Sequence, residues 1–174
     1  MEHKVRNFHM ILSHLSDYGI GFEMTKPWYI KNNIKFFKNI TTSYKMPGQK
    51  HNGINAVIMG RNTFEHILKK AFLWDRINVI VSKKNYGQIK TLIISNGWKN
   101  VMCARNLDEA LTKLNHPIID EVFIIGGKSL FEEGIKRKEL TSIWETTVHH
   151  DYGKPIKCDC FFNPDPDLAA HFTL

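Results

Sequence analysis

The segment 120–133, Asp-Glu-Val-Phe-Ile-Ile-Gly-Gly-Lys-Ser-Leu-Phe-Glu-Glu, limits the possible folds more than any other part of the chain. Its run 122–125 is apolar and rich in β-branched residues, which is typical of a strand buried on both faces of a parallel sheet. Gly126 and Gly127 follow, and a helical pattern begins at Lys128. Glycines between a strand and a helix let the backbone approach a ligand, and the first helical N–H groups favour an anion. The segment therefore indicates either an anion-binding turn or a tight turn without a ligand.

Alternating strand and helix patterns occupy the rest of the chain. Apolar runs predict further strands at 7–12, 54–59, 77–81, 91–95, 101–103 and 142–150. Helices are predicted at 32–42, from Arg61 through Lys70, at 107–114 and at 128–134. The third helix has the clearest start signal, since Asn106 can cap it with Glu109 three residues later.

This alternation predicts an α/β domain that spans residues 1–174, with a mostly parallel central sheet flanked by short helices. Ligands of such sheets bind beyond the carboxyl ends of the strands. The segment Gly60-Arg61-Asn62-Thr63 is a second strand-to-helix turn with a glycine and a basic residue. Two such turns at one sheet edge suit a ligand with several negative charges, such as a nicotinamide dinucleotide phosphate.

Composition narrows the possible partners. The chain of 174 residues has a formal charge of +7, but its basic residues are scattered, which favours a small anionic ligand or simple solubility over nucleic acid. No apolar run approaches the ~18 residues of a membrane span. Three cysteines argue for a reducing compartment, and we expect a cytoplasmic protein.

The histidine pair and the Cys-x-Cys segment near the end of the chain are a candidate metal site, formed by His149, His150, Cys158 and Cys160. Zinc sites usually use Cys-x-x-Cys spacing, which is absent here. Ordinary strand and loop roles explain these four residues equally well, so we predict no bound metal.

Eight motifs in fixed order resemble dihydrofolate reductase over nearly the whole chain, from about Asn7 to Leu174. They are the segments 19–21, 27–28, 36–38, 57–64, 76–82, 104–111, 124–127 and 159–162. Each is weak alone, and their order and spacing make the resemblance specific. It implies a dihydrofolate-reductase-like fold and NADPH-dependent hydride transfer that converts 7,8-dihydrofolate to 5,6,7,8-tetrahydrofolate for one-carbon metabolism.

The resemblance also implies a cofactor site. Ile20 and Gly21, with the loop to Trp28, match the mobile loop that closes over the nicotinamide, and Ile20 and Trp28 are assigned to the catalytic centre. Ser82 and Lys83 match the grip on a 2′-phosphate, a task suited to a hydroxyl and an ammonium. The remaining matches hold cofactor phosphates at the two glycine turns, and they are Gly60, Arg61, Asn62, Thr63, Gly126, Gly127, Lys128, Ser129 and Phe131.

The implied substrate site draws on four matched positions. Phe37 packs on the pterin and benzoyl rings, Thr146 orients the pterin, and Ile125 belongs to the same pocket. Arg76 pairs with the α-carboxylate of the glutamate tail, a bidentate task suited to arginine. Alone, Phe37 would be an ordinary core aromatic and Arg76 a surface charge.

Asn33 departs from the family pattern, which places a carboxylate five residues after Trp28 to bind the pterin. Hydride attack on C6 of dihydrofolate needs a proton at N5, and a buried negative charge favours that protonated form. An amide keeps hydrogen bonding but loses the charge. We therefore expect a slow enzyme, an acid-shifted one, or none. Lys26 in place of an apolar residue and Phe131 in place of tyrosine are smaller departures.

The family continues into a final β-hairpin beyond the position of Leu174. Without it we expect an open sheet edge, and the chain would be a monomer, a decaying copy, or part of a fusion or complex with thymidylate synthase. A catalytically silent fold that only binds nucleotide or folate is the main alternative. A pyrimidine-type reductase of flavin synthesis is a third, against which Phe37 and Arg76 argue.

Overall fold

The computed structural model describes residues 6–48, 52–70, 73–149 and 155–164. The strands in chain order are β1 (Phe8–Leu15), β2 (Gly19–Gly21), β3 (Ile54–Gly60), β4 (Ile77–Val81), β5 (Val101–Ala104), β6 (Ile119–Gly126), β7 (Leu140–Val148) and β8 (Cys160–Phe161). The helices are α1 (Lys31–Ser43), α2 (Arg61–Lys70), α3 (Tyr86–Ser95), α4 (Leu107–Lys113) and α5 (Lys128–Gly134).

Six strands form a central sheet in the order β5-β4-β3-β6-β1-β7, and its neighbouring strands run parallel. The short strands β2 and β8 pair antiparallel beside it. The predicted mostly parallel sheet with short helices is therefore confirmed. Within the described residues, β7 is an edge strand whose sheet neighbour is β1.

Two apolar clusters cover the two faces of the sheet. Phe8, Met10 and Leu12 of β1 belong to one cluster, together with side chains of α4 and α5, whereas Ile11 belongs to the other, beside α1, α2 and α3. Side chains of β6 alternate between the clusters in the same way. This two-sided burial follows from helices packing on both faces, and it is why the strands have continuous apolar sequences.

The predicted start of α4 is confirmed by its capping contact. The side chain of Asn106 accepts a hydrogen bond from the backbone N–H of Glu109 over 2.8 Å, which satisfies a helix-end donor. The Glu109 carboxylate in turn accepts from the backbone N–H of Arg105 at 2.9 Å.

The strand predicted at 91–95 is wrong, because these residues form the second half of α3. Parallel neighbours β4 and β5 need a connection that crosses back over the sheet, and α3 provides it. Ile89 and Ile93 pack on the sheet four residues apart, while Leu92 and Ile94 are exposed. A short continuous apolar run cannot be assigned to a strand or a helix by periodicity alone, and here the helix buries only part of it.

Among the described helices, none has the length and apolar character needed to cross a membrane. The described side chains contain no group of three or more His, Cys, Asp and Glu that could hold a metal ion. His150, which belongs to the candidate metal site, lies outside the described residues.

Candidate functional site

A cavity of about 980 Å³ opens where the sheet strands end. Every central strand borders it near or just beyond its carboxyl end, except that β1 contributes from its middle. This is the place predicted for a ligand of a parallel sheet. The contributing residues include Ser13, Gly60, Val81, Ile125 and Thr146.

A gap between two central strands leads into this cavity. β1 and β6 are paired only as far as Met10 and Ile124, whereas β1 stays paired with β7 up to Leu15. Past that point, Ser13 of β1 and Ile125 of β6 both line the cavity. The pairing of these strands therefore ends next to the cavity, and the unpaired stretch beyond it is the gap between β1 and β6.

The two glycine turns that the sequence predicted as separate anion sites adjoin each other. A Cβ atom on Gly60 would lie 3.6 Å from the backbone nitrogen of Gly127, and one on Gly126 would lie 3.2 Å from Thr63 Oγ1. Gly126 has a φ of 131°, and its peptide bond to Gly127 is cis. Larger residues would crowd this turn, so it offers backbone to the cavity at close range.

The cavity collects all predicted site residues except Trp28 and Arg76. Those that line it come from the β2 segment, from α1, and from the ends of strands or the beginnings of the helices that follow. They are Ile20, Gly21, Asn33, Phe37, Gly60, Arg61, Asn62, Thr63, Ser82, Lys83, Ile125, Gly126, Gly127, Lys128, Ser129, Phe131 and Thr146.

Basic side chains line the part of the cavity beside β3, β4, β5 and β6. Arg61, Lys83, Arg105 and Lys128 line it there. Arg61 pairs with Glu65 one helical turn away at 3.3 Å, an exposed contact that contributes little to stability and can exchange for a ligand. The chemistry of these donors fits a ligand with several phosphate groups.

The end of the cavity beside α1 has a different character. Lys26 Nζ donates a hydrogen bond to Asn33 Oδ1 at 3.4 Å, and it also lies 5.6 Å from the centre of the Trp28 ring. Asn33, Phe37 and Lys26 line the cavity, whereas Trp28 does not. The buried Trp28 Nε1 has no hydrogen-bond partner among the described residues.

Carboxylates do line the cavity, but none of them belongs to α1. Asp159 accepts a hydrogen bond from the backbone N–H of Glu23 at 2.9 Å, and Glu132 pairs with Lys128 at 3.7 Å. Glu23 and Glu133 also line the cavity, which gives four acidic residues in the lining. None of these acidic residues occupies the helix position that the resemblance assigns to a carboxylate, where Asn33 stands.

Arg76 does not line the cavity, and its guanidinium already has partners. The residue is 3% exposed, its Nη1 donates to Thr41 Oγ1 at 2.6 Å, and its Nε and Nη2 lie 3.0 and 2.9 Å from Asp75 Oδ1. Burial lowers the pKa of Arg76, and the neighbouring Asp75 opposes that shift. A carboxylate of the chain itself thus holds the edge of the arginine that a substrate carboxylate could use.

The sequence does not predict a role in the cavity for Ser13, Arg105 or Cys160, although all three line it. Ser13 is a single hydroxyl in an apolar strand, and Arg105 is a basic residue that directly follows β5, so each carried a weak signal. Cys160 also lines the cavity, and burial is the main cause that raises its pKa. Its thiol therefore stays protonated at neutral pH more than an exposed cysteine would.

Comparison with known proteins gives one consistent family. A family model described as dihydrofolate reductase matches residues 7–171. The dihydrofolate reductase of Candida albicans is 32% identical over 144 residues, which cover 82% of this chain and 68% of that protein. The bifunctional dihydrofolate reductase-thymidylate synthase of Glycine max is 31% identical over 164 residues, or 91% of this chain and 28% of the longer protein.

A solved structure agrees with these sequence matches. The dihydrofolate reductase of Schistosoma mansoni superposes with a TM-score of 0.70 at 31% identity, covering 93% of this chain and 82% of that one. The similarity therefore extends through the central sheet and the elements around the cavity.

Proposed function

Because this chain belongs to the dihydrofolate reductase family of oxidoreductases, we propose that it binds NADPH and reduces 7,8-dihydrofolate to 5,6,7,8-tetrahydrofolate. The observation that carries the proposal is the single cavity that gathers both glycine turns, the basic residues and the aromatic face of α1. We take residues 1–174 as one domain and the cytoplasm as its location.

The cofactor end of the cavity is the basic one. Arg61, Asn62 and Thr63 present the first turn of α2, and Ser82 and Lys83 follow β4 at the same edge. These residues would bind the phosphates, including the 2′-phosphate that distinguishes NADPH from NADH. NADPH supplies the hydride, and the gap between β1 and β6 is where the chain would hold its flat ring away from water.

The substrate end is formed by Phe37, Asn33 and Thr146. Phe37 offers an aromatic face, while Asn33 and Thr146 offer hydrogen bonds to the polar edge of the pterin. Neither carries a negative charge to favour protonation of the substrate nitrogen beside the carbon that accepts the hydride. Since positioned acid–base assistance contributes typically 10²- to 10⁴-fold, we propose a slow enzyme whose rate rises toward acid pH.

The test is a spectrophotometric assay of NADPH oxidation with dihydrofolate from acid to neutral pH. Asn33→Asp should raise kcat/KM about 10²-fold or more at neutral pH and flatten the pH dependence. Asn32→Asp is the matched control, because Asn32 is an exposed residue of the same helix turn that does not line the cavity. Full activity of the unaltered protein would show a proton route that does not need a carboxylate at position 33.

The contact between Lys26 and Asn33 favours a second candidate, a catalytically silent protein that binds nucleotide or folate. Calorimetry separates the two. Binding of both ligands without turnover, even by the Asn33→Asp variant, would support the silent protein, and binding of neither would overturn both. Since relatives such as the soybean protein are bifunctional, association with a thymidylate synthase remains part of the proposal.

A further inference from the structure

Ser13 is a buried hydroxyl-bearing residue in the wall of the cavity. The residue is 7% exposed, and its Oγ is closed off from water with no hydrogen-bond partner among the described residues. Buried hydroxyl groups are nearly always hydrogen-bonded, because an unpaired one loses its interactions with water and gains nothing in return. The stability of the empty protein therefore gives no reason for a serine at this position.

The place of Ser13 in the sheet indicates what could satisfy it. It lies three residues beyond Met10, where the pairing of β1 with β6 ends, so it borders the gap between these strands. On the other side it pairs with Thr146 of β7. Paired residues on neighbouring strands project from the same face of a sheet, and both residues line the cavity.

Asn33 of α1 lines the same cavity, so three elements supply three uncharged polar side chains to it. Thr146 and Asn33 were assigned roles by sequence, whereas Ser13 was not. Oδ1 of Asn33 already accepts a hydrogen bond from Lys26, whereas the hydroxyl of Ser13 has no hydrogen-bond partner among the described residues. Thr146 is only partly buried, so water can satisfy its hydroxyl, and Ser13 is the member of the three whose hydrogen bond a ligand would have to supply.

We propose that Ser13 is a further ligand-contacting residue, whose hydroxyl bonds an amide-type group on a flat ring held in the gap between β1 and β6. This inference rests on the proposed function and deepens it. A hydroxyl can donate to a carbonyl oxygen or accept from an N–H, so it suits a group that presents both. Two ligands carry such a group, namely the nicotinamide carboxamide of NADPH and the lactam of the dihydrofolate ring.

The experiment compares the unaltered protein with Ser13→Ala. Dissociation constants are measured by calorimetry for NADPH, for dihydrofolate, and for 2′,5′-ADP, which has the phosphates but no nicotinamide. The loss of one hydrogen bond should raise the dissociation constant of the ligand that Ser13 contacts about 3- to 10-fold and leave that of 2′,5′-ADP unchanged. Weaker binding of NADPH alone identifies the carboxamide as the group that Ser13 contacts, and weaker binding of dihydrofolate alone identifies the lactam.

Thermal unfolding without ligand supplies the second measurement. Because the alanine variant removes an unpaired hydroxyl, its melting temperature should be equal to or above that of the unaltered protein. A lower one, with all three ligands weakened alike, would mean that Ser13 is only structural, and the inference would be overturned.

Trp144→Phe is the matched control. Trp144 Nε1 is likewise buried without a partner in the described part of the chain, but Trp144 does not line the cavity. This variant should leave all three dissociation constants unchanged. If the unaltered protein binds the ligands and Ser13→Ala binds each within twofold of it, the inference about Ser13 fails while the proposed function stands. If the unaltered protein binds neither NADPH nor dihydrofolate, the proposed function fails first.

Discussion

Lys26 donates a hydrogen bond from Nζ to Oδ1 of Asn33 over 3.4 Å, so two of the three residues that depart from the family pattern contact each other. An amide thus stands where the resemblance implies a buried carboxylate, and an exposed ammonium group contacts that amide. The local charge is reversed and not merely lost. A protonated pterin would meet a cation at this end of the cavity, which disfavours the form that accepts the hydride.

We therefore expect Lys26 to limit the gain from restoring the carboxylate. Asn33→Asp would place a carboxylate beside Lys26, and their pairing would cancel part of the new negative charge. Adding Lys26→Leu should raise kcat/KM a further 3- to 10-fold, a modest factor because Lys26 is exposed and screened by water. Steady-state kinetics of the four proteins in a double-mutant cycle checks this, and strictly additive effects would show that the pair is uncoupled.

The pairing of Asp75 with Arg76 predicts weak recognition of the glutamate tail. Asp75→Ala should release Nε and Nη2 of Arg76, while Nη1 stays bound to Thr41, and increase the preference for dihydrofolate over a dihydropterin without a tail about 10-fold, as charged hydrogen bonds contribute roughly 1.5–3 kcal/mol. Competition binding with the two ligands measures the ratio. Lys38→Met is the control, since Lys38 lies 4.0 Å from Asp75 on the exposed side. A strong tail preference in the unaltered protein would contradict this interpretation.

Gly126→Ala should destabilise the protein and weaken NADPH binding. The φ of 131° disfavours any L side chain, and the added Cβ would meet Thr63 Oγ1 at 3.2 Å. We expect a loss of about 1–3 kcal/mol in urea unfolding. Gly87→Ala, in α3 with nothing within 4 Å of the added Cβ, should instead stabilise by about 0.5–1 kcal/mol. Equal effects of the two variants would count against a special role for the Gly126 turn.

Glu139 should contribute stability that is lost at acid pH. Burial acts to raise its pKa, but the hydrogen bond from Arg137 Nε at 3.1 Å and the charge of Arg137 outweigh burial and hold the pKa below the ordinary 4.5. A depressed carboxyl pKa stabilises the folded state above pH 4.5, and that stability disappears as pH falls through the folded pKa. Glu139→Gln should lose about 1 kcal/mol at pH 7 and nothing near pH 2, as measured by urea unfolding at both values.

Local sequence was sufficient for most of the fold. The apolar runs predicted six of the eight strands found in the described residues, and the Asn106 cap and the glycine turns marked helix boundaries that the structure confirms. The exceptions were the short strands β2 and β8, which are too brief for a periodic signal, and α3. The prediction for α3 is wrong because the need for a helix does not come from the run 91–95 itself. It comes from the parallel pairing of β4 and β5, which requires a crossing connection.

The sequence alone determined most of the strands and helices and where the backbone can turn closely, and its resemblance to the family proposes which residues serve a phosphate-bearing cofactor and a pterin. The tertiary structure decided which of them meet. Only the fold buries the hydroxyl of Ser13 beside the gap. It also pairs Asp75 with Arg76 and brings Lys26 into contact with Asn33. The physical reason is that hydrophobic periodicity and turn chemistry depend on only a few consecutive residues. Burial and charge pairing instead depend on which surfaces the packed chain brings together.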